Sequence, residues 1–185
     1  AAPDGATVQL TIDRDLQYFV ERELHQAVRE HDAIAATALV LDVQTSEILA
    51  MATLPTFDAN EGGKSRPDAR RNRVVTDLFE PGSTMKTFVM AAAIDKKKIE
   101  PSTKVFGEHG VYKIGNRIIR EADAKHKFGW ITATEALAYS SNIGSTKVAQ
   151  IIGENDLREA YSRFGFGELT GVDLPGEVRG VLQPL

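Results

Sequence analysis

Apolar and polar positions alternate along the chain with two different periods, and the changes of period mark its elements. Leu16, Phe19, Val20, Leu24, Ala27 and Val28 share one face at helical spacing, with Glu and Arg opposite and Asp13 where an N-cap belongs. The spacing predicts an amphipathic helix over about 14 to 31 that covers a sheet, after a short extended segment from Thr7 to Ile12. Two apolar runs, Ala35 to Asp42 and Glu47 to Leu54, flank Val43-Gln44-Thr45-Ser46 and predict a β-hairpin. The first run is almost continuously apolar, which predicts a strand covered on both faces. Pro55 stops the second strand, and residues 61 to 73, rich in Gly, Lys and Arg, read as an exposed, mobile connection.

Val74 to Phe79 has room for a turn or two of helix before the Pro81-Gly82 break. A helix is then predicted from Ser83 to about Lys98, apolar nearly all round and so placed at the centre of the domain. Val111 to Ile114 and Arg117 to Ile119 predict a small hairpin about Gly115-Asn116. Thr132-Ala133-Thr134-Glu135 has the form of a capping box and opens a helix that runs to about Tyr139. After the polar interruption Ser140-Ser141-Asn142, a second helix runs to Gly153, and a third, capped by Asn155, ends at Gly165. The remaining tail is turn-rich. No repeat or second domain is visible, and residues 1 to 185 read as one domain.

Composition changes this picture little. With 42% apolar and 26% charged residues the chain has the make-up of a globular protein, and a net charge of −4 provides no field for nucleic acid or an anionic membrane. There is no Cys, and His25, His31, His109 and His126 lack paired metal-ligand spacing, so no metal or other cofactor is implied. Arg70-Arg71-Asn72-Arg73 and Lys96-Lys97-Lys98 read as solvated charges. No apolar run is long enough to span a membrane, and the N-terminus lacks a signal-peptide pattern, which leaves a cytosolic protein or one without its targeting and anchoring segments.

The chemistry lies where helix polarity is unexpected. Ser83 and Lys86 stand at i and i+3, a spacing that puts a hydroxyl and an amine on one helix face. Serine needs a base, and Lys86 can serve if burial lowers its proton affinity. A helix N-terminus beside Ser83 favours an oxyanion on an attacked carbonyl, so acyl transfer through a Ser83 ester fits. Ser140 and Asn142 add a hydroxyl able to relay a proton to or from Lys86 and an amide able to hold both the lysine and a substrate amide. The plainer readings are Ser83 as a helix cap, Lys86 as a solvated lysine, and Ser140-Ser141-Asn142 as a junction between helices.

Beyond these pairs the sequence resembles the penicillin-binding transpeptidases, in particular the monofunctional class B proteins of cell elongation and division. The likeness is carried by Leu10-Thr11-Ile12-Asp13 with Leu16-Gln17, by Leu41 to Ala52, by Asn72-Arg73, by Phe79-Glu80-Pro81-Gly82-Ser83-Thr84-Met85-Lys86, and by Tyr139-Ser140-Ser141-Asn142-Ile143-Gly144. Phe164-Gly165-Phe166-Gly167 and Thr170 to Glu177 complete it. The resemblance implies an α+β fold: the helical region and part of the central antiparallel sheet of the penicillin-binding and β-lactamase-like fold, truncated before the last strands. It implies that Ser83 attacks the D-Ala-D-Ala carbonyl of a peptidoglycan stem peptide and passes the acyl group to an acceptor amine. Lys86 is then the base, Ser140 the relay and Asn142 the substrate binder, and β-lactams acylate Ser83. The implied partners of the full-length protein are a glycosyltransferase and the division or elongation machinery, outside the cytoplasm and anchored to its membrane.

One element of the family pattern is missing. The Lys-[Ser/Thr]-Gly motif does not occur, since Leu169-Thr170-Gly171 lacks the lysine. The sequence is therefore expected to be a fragment, inactive alone, whose open hairpin edge is completed by another chain, by a strand-swapped copy, or not at all. Two other functions share part of the pattern. A serine β-lactamase would need a deacylating base such as Glu168 or Glu177, and a non-catalytic β-lactam sensor would form a lasting adduct.

Overall fold

The computed structural model describes residues 5–182, which fall into two compact units. One comprises the described part of Ala1–Leu78 with Asp173–Val178, the other Phe79–Val172 with the described part of Arg179–Leu185. The hydropathy pattern does not mark this division.

In the first unit, helix α1 (Arg14–Glu30) is opened by Asp13, whose carboxylate accepts from the Leu16 amide. Strands β1 (Ala36–Leu41) and β2 (Ile48–Leu54) form the expected antiparallel hairpin, with a register shift between Val40 and Leu41. Its turn is tied by Asp42, which accepts from the Gln44 and Thr45 amides at 2.8 Å each. Helix α1 lies against the hairpin, and the Gln17 side chain pairs with both backbone groups of Met51, donating at 2.9 Å and accepting at 2.8 Å. Expected coverage of β1 on both faces is not found: its side chains alternate in exposure, and Leu39 and Leu41 remain 44% and 47% exposed. Among the described residues α1 covers one side only, which explains the alternation.

The connection after β2 is not featureless. It forms 3-10 turns at Ala59–Lys64 and Pro67–Arg70, followed by a one-turn helix, α2 (Arg73–Thr76). Arg73 is largely buried and, with Arg71, pairs with Asp77, so part of that basic cluster is structural.

The second unit holds the larger core. Helix α3 (Met85–Asp95) buries Val89, Met90, Ala92 and Ala93. Strands β3 (Lys104–Phe106) and β6 (Trp130–Thr132) pair antiparallel, and between them β4 (Val111–Ile114) and β5 (Arg117–Arg120) form the expected hairpin. The capping box at Thr132 and Glu135 opens α4 (Ala133–Ala138). Helices α5 (Asn142–Ile152) and α6 (Glu154–Arg163) follow, and α3 packs on both. Val105, Ile131, Val148 and Ile152 join the α3 residues in one cluster. Gly153, at φ +85°, caps α6, and Asn155, expected in that role, lies inside its first turn. Lys96 is tied to Asp156 and Glu159, and Lys98 to Asp156, which docks the end of α3 on α6 where free solvated charges were expected.

Candidate active site

The site grows from the backbone at Gly82. A Pro-Gly step turns the chain there with Gly82 at φ +59°, a region that a side chain would enter only with strain. A 3-10 turn, Gly82–Thr84, then leads into α3. Ser83 sits inside this tighter turn and not in the first α-helical turn as expected, because the Thr84 amide closes onto the Pro81 carbonyl at 3.3 Å. Ser83 is exposed, and its hydroxyl makes no hydrogen bond among the described residues, although its carbonyl accepts from the Met85 amide. A cap role for it falls away, since Thr84 holds the N-cap position of α3 without a side-chain cap bond.

Lys86 follows on the first turn of α3, partly buried. Its ammonium donates to the Ser140 carbonyl, to Ser140 Oγ at 3.0 Å and to Asn142 Oδ1 at 2.6 Å. Three N–H donors meet three oxygens, two of them side-chain groups expected at the site. Burial lowers the Lys86 pKa below the ordinary lysine value, and the Glu121 charge partly opposes that shift. Net, the amine loses its proton more readily than a solvated lysine. The structure thus joins Lys86, Ser140 and Asn142, and leaves Ser83 free three residues away on the same stretch.

Ser140 occupies the α4–α5 junction in a left-handed conformation, φ +52°. For a non-glycine residue this costs roughly 1–2 kcal/mol. Hydrogen bonds to a charged group contribute roughly 1.5–3 kcal/mol each, enough to hold the conformation once Lys86 is in place. Asn142 is the first residue of α5, and its Nδ2 donates to the Arg120 carbonyl at 2.8 Å, which leaves Oδ1 to face the lysine. Near the other end of this surface, Phe88 meets Phe164 and Phe166 edge to face at 4.9 Å each, so the Phe164-Gly165-Phe166-Gly167 segment braces α3 just past Lys86.

Sequence reasoning missed Glu121. This carboxylate, only 8% exposed, accepts from Ser141 Oγ at 2.6 Å, from the Asn142 amide at 2.7 Å and from the Ile143 amide at 3.4 Å. Its one sequence signal is an acidic residue directly after the alternating strand Arg117 to Arg120, which is too common to notice. Glu168, considered as a deacylating base, is taken up by Arg179 at 3.6 Å. Among the described residues no cluster of His, Cys, Asp or Glu could hold a metal ion, and no helix is long and apolar enough to cross a membrane. An exposed hydroxyl, a nearby lysine of lowered proton affinity and a hydroxyl and amide bonded to that lysine form a set suited to acyl transfer.

Residues 36–185 match the family model described as the penicillin binding protein transpeptidase domain. A probable peptidoglycan D,D-transpeptidase, PenA of Neisseria gonorrhoeae, is 35% identical over 183 residues, 99% of this chain and 31% of that protein. The peptidoglycan D,D-transpeptidase FtsI of Escherichia coli K12 is 36% identical over 172 residues, 93% of this chain and 28% of that protein. The chain thus spans about a third of the curated relatives it matches. The apo structure of the TP domain from Burkholderia pseudomallei penicillin-binding protein 3 superposes with a TM-score of 0.81 at 34% identity, covering 98% of this chain and 50% of that one.

Proposed function

The chain belongs to the penicillin-binding protein transpeptidase family, and on that premise we propose that it carries the acylation machinery of a peptidoglycan D,D-transpeptidase, with Ser83 as nucleophile. In this reading neutral Lys86 takes the Ser83 proton as Oγ attacks the penultimate D-Ala carbonyl of a stem peptide. Collapse of the tetrahedral intermediate breaks the peptide bond, and the departing D-Ala amine receives its proton from Lys86 through Ser140. An acceptor amine on a neighbouring strand then attacks the Ser83 ester, loses a proton back along the same path, and leaves the serine free. Asn142 orients the substrate amide. β-Lactams follow the first half, opening their ring onto Ser83.

The observation that carries this reading is the Lys86 ammonium held between Ser140 and Asn142 in a site that lowers its pKa. Extracytoplasmic placement, membrane anchoring, a glycosyltransferase partner and strands supplied from beyond residue 185 or from a second chain belong to the same proposal for the full-length protein. The test is labelling by a fluorescent penicillin in the full-length chain, in the 185-residue chain alone, and in Ser83→Ala. Stoichiometric labelling of the full chain and none in Ser83→Ala is expected, with weak labelling of the 185-residue chain. Undiminished labelling of Ser83→Ala would remove the proposed nucleophile.

A further inference from the structure

We propose that Glu121 is a positioning residue of this site, its carboxylate locking the Ser140-Ser141-Asn142 junction into the conformation that receives Lys86. The proposal rests on the reading of Ser83 as the acylated residue, and it assigns a role to a group that the sequence did not mark.

Burial sets the problem. A carboxylate 8% exposed needs compensation, and the charge of Lys86 reaches it without a direct hydrogen bond, since the Lys86 ammonium is engaged by Ser140 and Asn142. Compensation comes from the start of α5: the Asn142 and Ile143 amides and the Ser141 hydroxyl all donate to Glu121. These amides belong to the positive end of a helix of eleven residues, where an anion is favoured. Capping alone does not require Glu121, because Ser141 Oγ already accepts from the Gly144 amide at 2.8 Å and serves as the N-cap. Glu121 instead fixes the capping hydroxyl itself and the two amides that follow.

The consequence reaches Lys86 through Asn142. Glu121 holds the Asn142 backbone at 2.7 Å while the neighbouring Arg120 carbonyl holds its side-chain amide at 2.8 Å, so the end of β5 grips Asn142 at two points. With Nδ2 so engaged, Oδ1 is presented to Lys86 at 2.6 Å. Ser141, gripped by Glu121, is the residue directly after Ser140, whose left-handed backbone offers both its carbonyl and its hydroxyl to the same ammonium. Glu121 also acts by charge. Lys86 is faced by neutral Ser140 and Asn142, Arg120 is exposed and contributes through its carbonyl, and the Glu121 charge raises the Lys86 pKa against the larger effect of burial.

The experiment measures the rate of acylation by a fluorescent penicillin against pH in the full-length chain, for wild type, Glu121→Gln, Glu121→Asp and Ser83→Ala. Glu121→Gln keeps the shape but replaces one acceptor oxygen by an NH₂ group facing a donor. It is expected to slow acylation about 10- to 100-fold. Loss of the negative charge lowers the Lys86 pKa further, so the rising limb of the profile moves to lower pH. Glu121→Asp keeps the charge and is expected to hold the limb near its wild-type position and recover most of the rate. Wild-type rate and limb in Glu121→Gln would overturn the proposal. So would a slowed Glu121→Gln with an unmoved limb that Glu121→Asp does not repair, since Glu121 would then serve the fold alone. Ser83→Ala keeps the two questions apart: if it still labels, the reading of the site fails, whatever Glu121 does.

Discussion

At the α4–α5 junction a buried carboxylate and serine, a half-buried lysine and asparagine and an exposed serine are linked by hydrogen bonds. On the β1–β2 hairpin the reverse holds, and Leu39 and Leu41 stand about half exposed on one face of the sheet. Ordinary folding energetics favours neither arrangement, since buried polar groups and exposed leucines both forgo stabilisation. The difference lies in satisfaction. Every polar group named at the junction has a partner, so the cost of burial is offset and the geometry becomes rigid. The hairpin leucines remain about half exposed among the described residues, and nothing fixes what the open part of that face should meet.

The sharpest way to probe the contrast is at its most polar point. Lys86→Met keeps much of the volume and removes the proton acceptor, so the rate of penicillin acylation in the full-length chain is expected to fall about 10²- to 10⁴-fold. The basis is the three-oxygen cradle at Lys86, which no thioether can use. Acylation within a few-fold of wild type would show that the cradle holds Lys86 for structure and that the base lies elsewhere. A related sign follows from the pKa shift. Burial depresses the Lys86 pKa, so in the wild type the acylation rate should climb with pH along a limb centred below the ordinary lysine value of about 10.4.

Smaller but still large is the difference in packing between the two regions. Ile152 is 3% exposed within the helical core, and Ile152→Ala should destabilise the chain by roughly 2–5 kcal/mol in urea unfolding. Leu39→Ala, half exposed on the open hairpin face, should cost only about 1 kcal/mol in the 185-residue chain. The comparison breaks if the two losses are equal. If Leu39→Ala becomes costly only in the full-length chain, this face of the hairpin is covered there.

The two regions also differ in how well they could be read from the sequence. Helix α1 repeats its period several times, and the β1–β2 hairpin and the hairpin at Gly115-Asn116 are each two apolar runs about a short turn, so each stands where the local pattern put it. Strands β3 and β6 have three residues apiece and pair across the whole β4–β5 hairpin. Neither is long enough to show a period, and nothing local announces their pairing. The continuous apolarity of Ala36 to Leu41 suggested burial on both faces, but pattern reports what a surface prefers and cannot report whether a neighbour is present. At the site, Ser83, Lys86, Ser140 and Asn142 were legible because their spacing is local and their types are chemical. Glu121 was not, because its partners lie about twenty positions downstream and only the fold brings them together.

The smallest effect tests the hairpin's own polar group. Asp42 is exposed, and its pKa is lowered below 3.8 chiefly by the Thr45 amide, next by the Gln44 amide, both donating to Oδ1. A carboxyl with a depressed folded pKa stabilises the fold fully above its unfolded value, and that contribution disappears as pH falls through the folded one. Asp42→Asn preserves an oxygen for both amides and removes only the charge, so it isolates the charged part of the interaction. Its melting temperature should fall slightly short of wild type at about pH 6 and converge with it by about pH 2. Because the turn is exposed to solvent, the gap should also narrow with added salt. A gap constant across that range would mean that Asp42 acts through turn geometry alone. The charge of this hairpin would then be as idle as its exposed leucines, unlike the Glu121 carboxylate at the α4–α5 junction, which accepts from Ser141, Asn142 and Ile143.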